Sequence, residues 1–182
     1  MVVGPDDGGA GDHERGAARV RGRVGRMTDR ADAARAGTNR PPPWDRATLP
    51  SPLIPLDRSF EGFLGLQWLE LTPTSAHVRF EVRENLKQPL GLLHGGIYSA
   101  VAETIASVAT VNAVWKDGFV GAGLSNYASF LRPITEGTVD VVAILRGHNE
   151  REWTWGHEFR DESDNLCALV DVTIAVRPAP AR

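Results

Sequence analysis

Residues 92–115, LLHGGIYSAVAETIASVATVNAVW, decide the fold. Gly95 and Gly96 open a run of Ala, Val and Ile that Lys116, Asp117 and Gly118 close, which predicts one long helix suited to burial. In its middle stands Glu103. A buried carboxylate is costly unless it is paired, hydrogen-bonded or used, so this position asks for a reason in chemistry or in packing.

Outward from the helix the periodicity changes. PTSAHVRFEV sets Ala76, Val78, Phe80 and Val82 against His77, Arg79 and Glu81, the two-residue alternation of a half-buried strand. Four strand-like runs follow the helix, around 120–131, 138–147, 151–160 and 165–177, with Gly137, residues 147–149 and the DESDN stretch as turns. One central helix, a strand or two before it and a meander of four strands after it predict an α+β domain, an antiparallel sheet wrapped around the helix. LVDVTIAV and VDVVAIL are apolar on both faces, more than one helix covers, which predicts a second subunit.

The first 50 residues are different in kind. They are rich in Gly, Ala, Asp and Arg, lack lysine and carry the proline run 41–43, so they cannot bury enough surface to offset chain entropy. The expected organisation is a disordered tail over 1–50 and one domain over 51–182. RGAARVRGRVGR has the basic character of a nucleic-acid arm or a transit segment, but its glycines and the nearby aspartates favour a solvated tail. Met27 is an alternative initiator.

A formal net charge of −3 gives no basic field to draw the chain onto nucleic acid or an anionic membrane. The one cysteine, Cys167, excludes an internal disulfide framework and fits a reducing, cytoplasmic setting, where it is expected to be a small core residue. No uninterrupted run of about 18 apolar residues predicts a membrane span. The five histidines show no HExxH spacing, so no metal is expected, and no cofactor. VGAGLSN lacks the third glycine of a dinucleotide loop and is expected before a strand; GLSNY lacks the second glycine of a nucleophile elbow.

Ser99, Glu103, Ser107 and Thr110 recur at four, four and three residues, a narrow polar stripe on the helix. A solvent-facing stripe or a structural ion pair has the same spacing. At the helix entrance, Gly95 and Gly96 leave backbone N–H groups and the positive dipole end unobstructed, an arrangement able to polarise a carbonyl under attack, although glycines also serve a tight turn. Gly95 and Glu103 are about 12 Å apart along the axis, too far to address one carbonyl. They can meet across chains, when two helices lie antiparallel at a two-fold interface.

From about residue 60 to 176 the chain resembles hotdog-fold acyl-CoA thioesterases of the PaaI/4-hydroxybenzoyl-CoA thioesterase superfamily, a likeness carried by NLKQPLGLLHGGIYSAVAET, NYASFLRPITEG and DNLCALVDVTIAV. The nearest likeness is to the branch of the enterobactin-proofreading and 1,4-dihydroxy-2-naphthoyl-CoA thioesterases. The resemblance implies a bent sheet around the helix, a homodimer and often a dimer of dimers, acting on acyl-CoA or acyl-carrier-protein thioesters. It implies Glu103 as nucleophile or general base, Ser107 positioning Glu103 or water, and Gln88, His94 and Gly95 contributed by the opposite subunit. Relatives of the phenylacetyl type carry Asp where this chain has Glu103.

A thioester suits so small a constellation, because its carbonyl lacks amide resonance and its thiolate leaves readily. Trp153, Trp155 and Phe159 alternate along one strand and are candidates for an acyl pocket or for packing. Two other functions share the fold: a non-catalytic acyl-CoA sensor, which needs an output domain, and a hydratase, which needs an Asp and His pair that the helix lacks.

Overall fold

A computed structural model describes residues 54–179; the expectations for residues 1–50, Met27 among them, fall outside the described residues. Among the described residues two strands precede the helix, β1 (Gln67–Leu71) and β2 (Ser75–Glu81), and four follow it: β3 (Phe119–Phe130), β4 (Thr138–His148), β5 (Glu152–Arg160) and β6 (Leu166–Pro178). A short helix α1 (Phe60–Leu64) leads into β1, and the long helix is α2 (Gly95–Val114). All six strands form one antiparallel sheet in the order β1-β2-β4-β5-β6-β3.

That order corrects the expected four-strand meander. β4, β5 and β6 are consecutive, but β3 lies at the far edge, paired along its length with β6. Pro133 has no N–H to give a ladder, so β3 stops at Phe130 and the link 131–137 passes the end of α2 instead of turning back. There Leu131 and Arg132 donate to the Cys167 carbonyl, and the Ile134 carbonyl accepts from the Leu93 N–H.

The helix lies on the inward face of this sheet. Val101, Ala102, Ile105, Ala106 and Ala109 are fully buried against Val78, Phe80, Val139, Val141, Trp155 and Phe159. The alanines let sheet and helix approach closely, and a side chain such as Ile105 contributes roughly 1.5–3 kcal/mol by leaving water. By length and composition the segment Gly95–Asp117 is apolar enough to cross a bilayer, although Glu103 and the hydroxyl side chains around it interrupt the apolar run. Ten of the 20 residues of α2 are buried, Val101, Ile105 and Ala109 in the core among them.

Two positions depart from their expected surroundings. Thr110 is not on an exposed stripe: it is fully buried, and its Oγ1 accepts from the Trp155 indole N–H at 2.9 Å. A buried indole needs an acceptor, and Thr110 supplies the one at hand. VGAGLSN lies inside β3, not ahead of it. A β-carbon on Gly121 would come within 2.9 Å of Ile174 Cγ2 and 3.3 Å of Thr110 Cγ2, so glycine there permits close contact between strand and helix.

Candidate active site

Two elements carry the predicted residues. The first is the entrance of α2. Residues 88–91 make a turn in which the Gly91 N–H donates to the Gln88 carbonyl and the Gln88 N–H to Leu92, with Gly91 at φ 81° where other residues are strained. The chain then reaches His94 in extended conformation, φ −67° and ψ 133°, and enters the helix. His94 is the N-cap: its Nδ1 accepts from the Gly96 N–H at 2.9 Å, which leaves the ring proton on Nε2.

This cap alters the expectation of two free donors. The Gly96 N–H is satisfied by His94 and the Ile97 N–H by the His94 carbonyl. Among the described residues, no acceptor meets the Gly95 N–H, so the helix entrance offers one open donor at the positive end of a 20-residue helix. Gly95 is half-buried, and a β-carbon there would stand 3.2 Å from Phe130 Cζ.

The second element lies two turns on. Glu103 is half-buried, and the Ser107 hydroxyl donates to its Oε1 at 2.8 Å. Across from it, a β-carbon on Gly123 would lie 3.1 Å from the same Oε1. Glycine therefore leaves room for the carboxylate, beside a β-bulge between Gly123 and Ser125. No metal-binding cluster of His, Cys, Asp or Glu occurs among the described residues.

The structure thus gathers Gln88, His94 and Gly95 at the helix entrance and Glu103 with Ser107 at its middle, and keeps the two groups two turns apart in one chain. Phe130, Gly123 and Asn126, whose Nδ2 donates to the Ser99 carbonyl at 2.9 Å, are site neighbours that the sequence reading left without roles. The tryptophans belong to packing: Trp155 and Phe159 are fully buried, and Trp153 stacks on Trp155 with ring centroids 6.5 Å apart. Cys167 is buried as expected, its thiol pointing at the Asn165 carbonyl.

β3 runs antiparallel along α2, touching it at Gly121 near Thr110, Gly123 near Glu103, Asn126 at Ser99 and Phe130 at Gly95. The outer edge of β3 has no partner strand among the described residues, and it carries Leu124, Tyr127 and Phe130, each more than half exposed.

Known proteins share this fold. A family model described as the thioesterase superfamily matches residues 90–168. A Pasteurella multocida protein named as an esterase is 37% identical over 112 residues, covering 62% of this chain and 75% of that one. The 1,4-dihydroxy-2-naphthoyl-CoA hydrolase of Escherichia coli is 32% identical over 115 residues, 63% of this chain and 84% of that one. Among solved structures, a Mycobacterium tuberculosis protein named as an esterase superposes with a TM-score of 0.64 at 33% identity, covering 67% of this chain and 98% of that one. A thioesterase of Haemophilus influenzae gives a TM-score of 0.64 at 28% identity, with 69% and 87% covered. The chain is an enzyme of the hotdog fold and belongs to the thioesterase superfamily.

Proposed function

We propose that this thioesterase hydrolyses an acyl-CoA or acyl-carrier-protein thioester, with an aromatic or short- to medium-chain acyl group, in a site shared by two copies of the chain. The observation that carries the reading is the pairing of a half-buried carboxylate, held by Ser107 at 2.8 Å, with an open Gly95 N–H two turns away on the same helix. Neither completes a site alone.

The unpaired edge of β3 supports the second copy. A 12-residue strand with a free edge and exposed Leu124, Tyr127 and Phe130 invites pairing with its own twin. Because α2 lies along β3, a two-fold axis perpendicular to that edge pairs the two β3 strands antiparallel and sets the two helices antiparallel as well. The entrance of each then faces the middle of the other. Dimers pairing further through the outer sheet face, where Ile144 is half exposed, would give the dimer of dimers.

In that site the thioester oxygen accepts from the Gly95 N–H, which strengthens as negative charge gathers on it. Glu103 of the other copy either adds to the carbonyl carbon, expelling thiolate and leaving an anhydride that water opens, or takes a proton from the water that adds. Both routes end in free acid and thiol. Ser107 aims the carboxylate, while His94 fixes the entrance by capping Gly96 and Gln88 flanks it. No cofactor is required, since coenzyme A or the carrier is part of the substrate. A reducing cytoplasm, with neither nucleic acid nor membrane as partner, fits this role.

Thiol release from a panel of aromatic, short-chain and long-chain acyl-CoA esters tests the reading. Glu103→Ala is expected to lose at least about a hundredfold in turnover, the scale of a lost general base. Turnover unchanged in that variant overturns it.

A further inference from the structure

We propose that Phe130 is a specificity-determining residue, the aromatic wall against which the acyl group of the substrate is held, selecting a flat ring conjugated to the thioester over a flexible chain. The inference rests on Gly95 as the donor to the thioester oxygen. A carbonyl bound there has its acyl substituent beside the Gly95 Cα, and the atom nearest a β-carbon at that position is Phe130 Cζ, 3.2 Å away. Glycine at 95 is what lets the ring lie so close to the donor.

The wall is built before any substrate arrives. Phe130 meets Tyr98 edge to face at 5.4 Å, and Tyr98 meets Phe159 the same way at 5.2 Å. Phe159 is fully buried on β5 and Tyr98 is 3% exposed on α2, so the three rings are anchored in the core from behind. In front, Phe130 is 58% exposed in the single chain, at the end of the β3 edge where the second copy joins, so its free face lines the site that the two copies share. Burial, with Cys167 nearby, pushes the Tyr98 hydroxyl up to about 12, so the wall stays uncharged throughout the working range.

An aryl carbonyl presents a rigid ring at the distance where aromatic pairs gain most, centroids about 4.5–7 Å apart. An alkyl chain on the same wall gains area but loses rotamer freedom on ordering. The preference should therefore fall on the acyl ring and not on the thiol half of the substrate.

The test is kcat/KM for benzoyl-CoA and hexanoyl-CoA in wild type, Phe130→Leu, Phe130→Met and Phe130→Tyr, with Glu103→Gln as the reference for loss of chemistry. The benzoyl-to-hexanoyl ratio is expected to fall about three- to tenfold in the Leu and Met variants and to return in Tyr, the scale of one aromatic pair. A ratio unchanged in Leu and Met overturns the role of Phe130 while Glu103→Gln, if inactive, leaves the composite site standing. A wild-type protein that cleaves neither ester overturns this inference, and a Glu103→Gln variant as active as wild type overturns the proposed function with it.

Discussion

The Ser107 hydroxyl donates to Glu103 Oε1 at 2.8 Å from one turn further along the same helix. A helical serine commonly returns its proton to the carbonyl four residues back; here it takes the carboxylate four residues back instead. A bond to a charged acceptor is stronger than one to a neutral group, and it leaves one rotamer for Glu103. Ser107→Ala should keep the fold and lower kcat by about tenfold or more with KM little changed. Ser107→Thr, which retains the hydroxyl, should recover most of the loss. Equal kcat in Ser107→Ala and wild type would show that the bond does not aim the carboxylate.

Gly95 sits at the first helical position behind an extended His94, the one place in a helix where proline is tolerated. Gly95→Pro removes the open N–H, and its β-carbon would stand 3.2 Å from Phe130 Cζ, so the Phe130 ring has to give way. Turnover should fall about a hundredfold, the usual effect of deleting one oxyanion donor. Mixing this variant with Glu103→Ala then reads the symmetry. A mixed dimer built across chains contains one site with both groups intact, so random mixing should restore about a quarter of wild-type turnover. No recovery on mixing would place both groups in one chain and remove the shared site.

Gly121 and Gly123 occupy adjacent inward positions on β3, but they face different neighbours. A methyl on Gly121 meets Ile174 and Thr110 in the core, whereas one on Gly123 meets the Glu103 carboxylate. Gly121→Ala should therefore cost about 1–3 kcal/mol of stability by overpacking, read as a lower urea midpoint, with kcat of the folded fraction preserved. Gly123→Ala should do the reverse, moving kcat by tenfold or more at an almost unchanged midpoint. If both variants lose stability alike and neither loses turnover, the space beside Glu103 has no catalytic meaning.

Much of this arrangement is legible in residue patterns, for identifiable reasons. Alternation over 76–82 marks β2 because one face is core and the other carries His77, Arg79 and Asp140 in a polar network, with Arg79 Nη2 and Asp140 Oδ2 2.8 Å apart. The helix is legible because its entrance and exit are punctuated by glycines. The edge position of β3 is not, since its partner β6 lies some 40 residues away and no local signal encodes a non-local pairing. The spacing misplaces Thr110 because it gives an angle about the helix axis but not the depth of the sheet at that angle. The cap by His94 had no signal at all, histidine being an uncommon N-cap. Parity along WTWGHEF did place His157 with Trp155 and Phe159, an unused clue to its burial.

His157 makes the acid limit of stability predictable. It is fully buried, its Nδ1 lies 3.0 Å from the Val170 carbonyl, and Nε2 has no partner among the described residues. Burial pushes its pKa down from 6.5 to about 4; the Val170 carbonyl and the Asp171 charge oppose this, and Arg146 adds to it. The folded state thus binds this proton less readily than the unfolded chain. Its contribution is fully present above pH 6.5 and is lost as pH falls from 6.5 towards 4, in total about 3 kcal/mol. Asp140 acts lower: burial would raise its pKa, but His77 and Arg79 together hold it below the usual aspartate value, so its contribution fades only under more acid conditions. Urea midpoints measured between pH 7.5 and 4.5 should therefore decline steadily in wild type and stay flatter in His157→Leu. That variant gives up a bond to Val170 worth about 1 kcal/mol at neutral pH but carries no group that must remain unprotonated. Parallel declines in the two proteins would assign the acid sensitivity to other groups.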